Sequence, residues 1–120
     1  MKALFVENRL ERFAAGKAAK MFAGAMGAAT GPMSPVRYAS VPEPSLPGPR
    51  WIKVRNKACG LCGTDVHLMA LDLDPKSFPA ALPGLPRVYL GHEVLSVVEE
   101  VGAAVEGIRP GDRVAVRIDW

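Results

Sequence analysis

Two short stretches of the sequence hold the residue types that bind metals and move protons. The first is Cys59-Gly60-Leu61-Cys62-Gly63-Thr64-Asp65-Val66-His67, and the second is Gly91-His92-Glu93. Thiolate, imidazole and carboxylate together suit zinc, and both histidines of the chain fall inside these stretches. Taken singly, each residue has a plainer use. A lone histidine is usually a hydrogen-bonded structural residue, and a lone cysteine a small buried apolar group. The conjunction of both stretches with Gly111-Asp112-Arg113-Val114 further along the chain favours the metal reading.

Cys59-x-x-Cys62 is also the spacing of a redox pair or of half a zinc knuckle. No second Cys-x-x-Cys is available to complete a four-cysteine site, and the βαβ context of a thioredoxin-like motif is absent. Cys59 is therefore expected to be a buried, non-ligating thiol at the end of the strand that starts near Trp51.

The elements that must position these residues are short. Lys2-Ala3-Leu4-Phe5-Val6 is β-prone and bounded by Asn8, which predicts a strand. After it the period changes: Leu10, Phe13, Ala14, Ala18, Met21, Phe22, Ala25 and Met26 recur at helical spacing and predict an amphipathic helix, expected to lie on its own domain by that apolar stripe, with a lid or a subunit contact as the alternative use of it. Asn8 with Glu11 is expected to cap its start, and Gly27 with Gly31-Pro32 to stop it. Gly16 and Gly24 weaken the helix, at about 1 kcal/mol each relative to Ala. Val36 to Val41, Trp51 to Arg55, Val94 to Val101 and Arg113 to Arg117 read as strands. Pro42-Glu43-Pro44 and Pro47-Gly48-Pro49 form a loop, and the proline-rich run from Asp72 to Pro86 a second one. Short strands joined by proline- and glycine-rich turns predict a mainly β domain with minor α, a small barrel or sandwich rather than alternating βαβ units.

A chain of 120 residues with 49% hydrophobic residues can bury one domain's core. Its net charge of +3 comes from scattered basic residues, so no nucleic-acid partner is expected. No apolar run reaches the roughly 18 residues of a membrane span. The basic, alanine-rich stretch from Asn8 to Met26 has some features of an organelle leader or membrane-surface helix. Glu11 and the strand that precedes it argue against that reading, and two cysteines without a disulfide framework favour a reducing, cytoplasmic setting.

The chain resembles the zinc-containing medium-chain alcohol dehydrogenases, whose catalytic domain is a GroES-like, partly open β-barrel. The resemblance rests on Met1-Lys2-Ala3-Leu4, Pro42-Glu43-Pro44, Gly60 to His67, Gly91-His92-Glu93-Val94, Val101-Gly102 and Gly111-Asp112-Arg113-Val114. It holds in order and approximate spacing over residues 36 to 118. It implies that Cys62 and His92 ligate a catalytic zinc ion and that Glu93 ligates it or exchanges with water. It further implies that Asp65 receives a hydrogen bond from the zinc histidine, and that Thr64 and His67 relay the substrate proton to solvent. The implied reaction is oxidation of an alcohol or polyol through a zinc-bound alkoxide, with NAD or NADP as hydride acceptor and an alcohol or aldehyde as the small-molecule partner. A homo-oligomer is implied for the full-length enzyme.

Several features depart from that pattern. Gly24, Gly27 and Gly31 do not have the Gly-x-Gly-x-x-Gly spacing of a nucleotide-binding turn, so residues 1–120 are expected to form an incomplete catalytic domain without its Rossmann partner, inactive in isolation. The stretch from Asn8 to Met33 stands where the family has a short turn, which predicts an extra N-terminal helix. Two other readings remain at this point. One is a free-standing, non-catalytic GroES-like metal-binding or interaction module; the other is a zinc-free reductase, against which the retention of Cys62, His92 and Glu93 together counts.

Overall fold

The β-prone run that begins at Lys2 forms β1 (Lys2–Glu7), and its consecutive residues Phe5 and Val6, which point to opposite faces of a strand, are both buried. The structure, a computed structural model, describes residues 1–72 and 85–116. After β1 come α1 (Leu10–Thr30), β2 (Val36–Ser40), β3 (Ile52–Gly60), α2 (Gly63–Met69), β4 (Arg87–Tyr89), β5 (Glu93–Val101) and β6 (Arg113–Val116). The strands form two open, three-stranded sheets in the orders β2-β1-β4 and β3-β5-β6, with every pairing antiparallel. The architecture is mainly β with minor α, as expected. Of the expected proline-rich loop, residues 73–84 lie outside the described residues, as does residue 117 of the last expected strand.

The chain divides into two compact units, Met1–Val41 with Gly63–Leu90, and Pro42–Cys62 with Gly91–Trp120. In the first unit, Val36, Val6 and Val88 stand in register across β2, β1 and β4. This β-branched row packs with Leu68 of α2 and with Leu90, joined by Leu4, Phe13 and Met69. Full burial of a side chain such as Val6 stabilises the unit by roughly 1.5–3 kcal/mol.

Helix α1 departs from its expected orientation. Phe13 reaches the core, but Leu10, Met21, Phe22 and Met26 of the expected buried stripe are 86%, 85%, 90% and 72% exposed. The helix docks instead through Gly16. A Cβ there would stand 2.7 Å from Leu71 Cδ1 and 2.9 Å from Pro35 Cδ, so the missing side chain permits the approach. Gly24, at φ 65° and ψ −166°, then breaks the helical phase. The N-cap differs as well, whereas Gly31 caps the C-terminus as expected. Arg9 occupies the N-cap without a side-chain cap, and the helix runs past Gly27 to Thr30. Asn8 is engaged elsewhere: its Nδ2 donates to the Leu85 carbonyl at 2.9 Å.

In the second unit β5 is the central strand, and it buries Val98 and Ser96. The Ser96 hydroxyl donates to Asn56 Oδ1 of β3 at 2.9 Å, which satisfies a polar group that would otherwise be costly to bury. Among the described residues, no helix is long and apolar enough to cross a membrane.

Candidate metal and proton-relay site

The ladder between β3 and β5 brings the two chemical stretches together. Its register pairs Cys59 with Val94 and Gly60 with Glu93. In an antiparallel pair, the residues just after one strand and just before the other share the same end of the ladder. The chain leaves β3 toward Cys62 and enters β5 from His92, so two residues separated by thirty positions in the sequence become neighbours. A Cys62 Sγ and a His92 ring nitrogen lie within 4.8 Å of each other, and both side chains are half-buried.

Gly91 makes this turn possible. Its φ of 84° belongs to the left-handed region, and a Cβ added there would run into Cys59 Sγ and stand 3.2 Å from the Gly60 carbonyl oxygen. Backbone strain and lack of space therefore exclude a side chain at this position.

A thiolate and an imidazole at this separation fit zinc. Bond lengths of about 2.0–2.3 Å at tetrahedral angles place two donors about 3.6 Å apart, a spacing that small side-chain rotations supply. Cys59 stays outside the group of donor atoms that approach one another among the described residues. Contrary to expectation it is exposed rather than buried, because β3 turns five of its nine residues, 55–59, to solvent. Glu93 is the first residue of β5; it is exposed, and its carboxylate lies where a side chain on Gly60 would stand.

Helix α2 belongs to the first unit and divides its residues by face. Asp65 and Leu68, three apart, are buried at 6% and 4% exposure, and Leu68 anchors the helix in the core. Thr64 and His67, also three apart, are exposed, and that spacing makes the hydroxyl and the imidazole neighbours on one helix face. The helix ends at a turn in which Leu71 adopts φ 55°. The Leu71 amide donates to the Leu68 carbonyl at 3.1 Å and the Asp72 amide to the His67 carbonyl at 2.8 Å, the pattern of a Schellman motif.

That turn places two residues that the sequence reading missed. The Asp72 carboxylate accepts a hydrogen bond from the Lys20 ammonium of α1, and its Oδ2 lies 3.8 Å from His67 Nδ1. The Lys20 hydrogen bond holds the Asp72 carboxyl below the usual aspartate range; desolvation opposes this, and His67 adds a smaller pull in the same direction. No periodicity could have found this cluster, since Lys20 and Asp72 are 52 positions apart.

Residues 48–119 match the alcohol dehydrogenase GroES-like domain. The scyllo-inosose 3-dehydrogenase of Thermotoga maritima is 45% identical over 67 residues, which cover 56% of this chain and 17% of that protein. The sorbitol dehydrogenase of Pongo abelii is 38% identical over 81 residues, 68% of this chain and 21% of that protein. The galactitol-1-phosphate dehydrogenase of Escherichia coli superposes with a TM-score of 0.59 at 21% identity, covering 96% of this chain and 24% of that one, a likeness of fold. The chain thus spans about a fifth of the length of such relatives. The family match takes in Cys62, His92 and the β3–β5 ladder that joins them. On these grounds, the chain belongs to the alcohol dehydrogenase GroES-like domain family.

Proposed function

We propose that this chain carries the metal-binding and proton-relay part of a zinc-dependent dehydrogenase acting on a secondary alcohol of the polyol class. The approach of Cys62 Sγ to a His92 ring nitrogen, inside the region matching the family, carries this reading. Cys62 and His92 hold the ion, and Glu93, the next residue after His92, supplies a carboxylate that ligates it or exchanges with water. Asp65, three residues after Cys62, orients the His92 ring, since a carboxylate partner fixes the tautomer and raises the basicity of a zinc histidine. The ion supplies Lewis acidity that lowers the pKa of an alcohol oxygen by several units.

The protein's own residues move the proton. Thr64 accepts it from the alcohol while donating its own to His67, because one hydroxyl serves both roles. His67, whose side chain is 62% exposed, passes it to water. NAD or NADP, when bound, would supply the acceptor for the hydride on the carbon that bears the alcohol oxygen. The names of the scyllo-inosose and sorbitol relatives support a polyhydroxylated substrate, and the need to keep Cys62 reduced supports a cytoplasmic setting.

Cobalt substitution tests this reading. The chain should bind about one Co²⁺ per molecule with a thiolate-to-cobalt charge-transfer band. Cys62→Ser should lose the band, His92→Ala should weaken binding at least tenfold, and Cys59→Ser should change neither. Full metal occupancy in Cys62→Ser would refute the proposal.

A further inference from the structure

The turn that closes α2 contains a strained residue, and its strain calls for a reason. Leu71 sits in the left-handed region at φ 55°, where glycine is the usual occupant. Its side chain is buried at 6% exposure, and its Cδ1 fills the space left by the absent side chain of Gly16 on α1. Packing therefore holds the backbone in an unfavourable conformation, a condition that persists only where the surroundings over-determine it. Asp72, the next residue, is fixed twice more: its amide donates to the His67 carbonyl, and its carboxylate accepts from Lys20. Three restraints thus fix Asp72, with Lys20 held on Oδ1, and leave its other carboxylate oxygen, Oδ2, facing His67 Nδ1 at 3.8 Å.

We propose that Asp72, braced by Lys20 and by the Leu71 turn, is a positioning residue that holds the His67 ring with its proton on Nδ1. Nε2 is then the basic nitrogen. In the relay, Nε2 takes up one proton and returns it to bulk water, while the Nδ1 proton stays directed at Asp72, which remains ionised throughout. Helix α1, through Lys20, thereby acquires a role in the relay. The inference rests on the reading of His67 as the exit of the proton relay.

Long-range ¹H–¹⁵N spectra of the imidazoles test it on the 120-residue chain, which holds two histidines; His67→Gln assigns the signals. His67 should favour the Nδ1–H tautomer. Asp72→Ala should move the tautomer ratio toward Nε2–H by about two- to threefold, the scale of an exposed charge interaction. Asp72→Glu should restore part of the shift, and Lys20→Ala should give an intermediate value. An unchanged ratio in Asp72→Ala overturns the proposal. Cobalt binding, measured on the same samples, reports separately on the dehydrogenase reading. A chain that binds no metal but shows the Asp72-dependent tautomer sustains the positioning role and removes the reaction it was assigned to serve.

Discussion

Replacing Gly91 by alanine should be far more damaging than an Ala substitution at another left-handed glycine. Two costs add at this position. Holding a residue with a Cβ at φ 84° costs about 1–2 kcal/mol. The new methyl would also collide with Cys59 Sγ and press on the Gly60 carbonyl, which costs about 1–3 kcal/mol as in other overpacked sites. The expected loss is about 2–5 kcal/mol, a large share of the roughly 5–15 kcal/mol by which a domain is stable. Gly107 provides the control, since its φ is 75° but no atom lies within 4 Å of an added Cβ, so Gly107→Ala should lose only the strain of about 1–2 kcal/mol. Gly63 lies at the start of α2 with open space around it and no positive φ, and Gly63→Ala should be neutral or stabilising by up to about 1 kcal/mol. Urea unfolding followed by tryptophan fluorescence measures all three. If Gly91→Ala loses no more stability than Gly107→Ala, the close passage of the turn beside Cys59 and Gly60 is not what demands glycine.

Two further outcomes follow from the first unit. Gly16→Ala should destabilise by about 1–3 kcal/mol, because its Cβ would fall 2.7 Å from Leu71 Cδ1 and 2.9 Å from Pro35 Cδ. Combined with Leu71→Ala it should cost less than the sum of the two single changes, a coupling that a double-mutant cycle reads directly. The Asp72 carboxyl is held below the usual aspartate range mainly by its Lys20 hydrogen bond, so its contribution to stability is complete above that range and is lost as the pH falls through it. Thermal midpoints recorded across that acid window should therefore fall less steeply in Lys20→Ala than in the parent chain, and parallel slopes would contradict the assignment.

What could be read beforehand was decided by whether a signal is local. Lys2-Ala3-Leu4-Phe5-Val6 and Arg113-Val114-Ala115-Val116 carry their strand pattern within a few residues, and both formed as expected. Helix α2 was not foreseen, because seven residues beginning with Gly63 are too few to display a helical period. Strand β4 is only three residues long and follows a proline-rich run that masks it. The orientation of α1 was misjudged for a different reason: periodicity finds the large apolar residues, whereas Gly16 docks the helix by having no side chain at all. Asn8 looked like a cap until its amide found a carbonyl 77 positions away. Cys62 and His92 were legible as chemical types, but only the β3–β5 register brings them together.

From the distribution of buried residues, a metal held by Cys62 and His92 is expected to act as a structural member as well as a chemical one. Among the described residues, the first unit buries Phe5, Val6, Val41, Leu68, Leu71 and Leu90, whereas the second buries Val98 as its single large apolar side chain. A unit with so little apolar burial gains proportionally more from a cross-link, and Cys62 and His92 both belong to it. An ion that binds the folded unit and not the unfolded chain stabilises it by about 2.7 kcal/mol at a free concentration one hundred times its Kd. For a domain of this size that corresponds to a rise in Tm on the order of 10–20 °C. Differential scanning calorimetry with added zinc, and again after chelation, should show this shift in the parent chain and in Cys59→Ser, and not in Cys62→Ser or His92→Ala. A midpoint that ignores both zinc and chelator would mean that the β3–β5 ladder holds the two side chains together without their gripping anything.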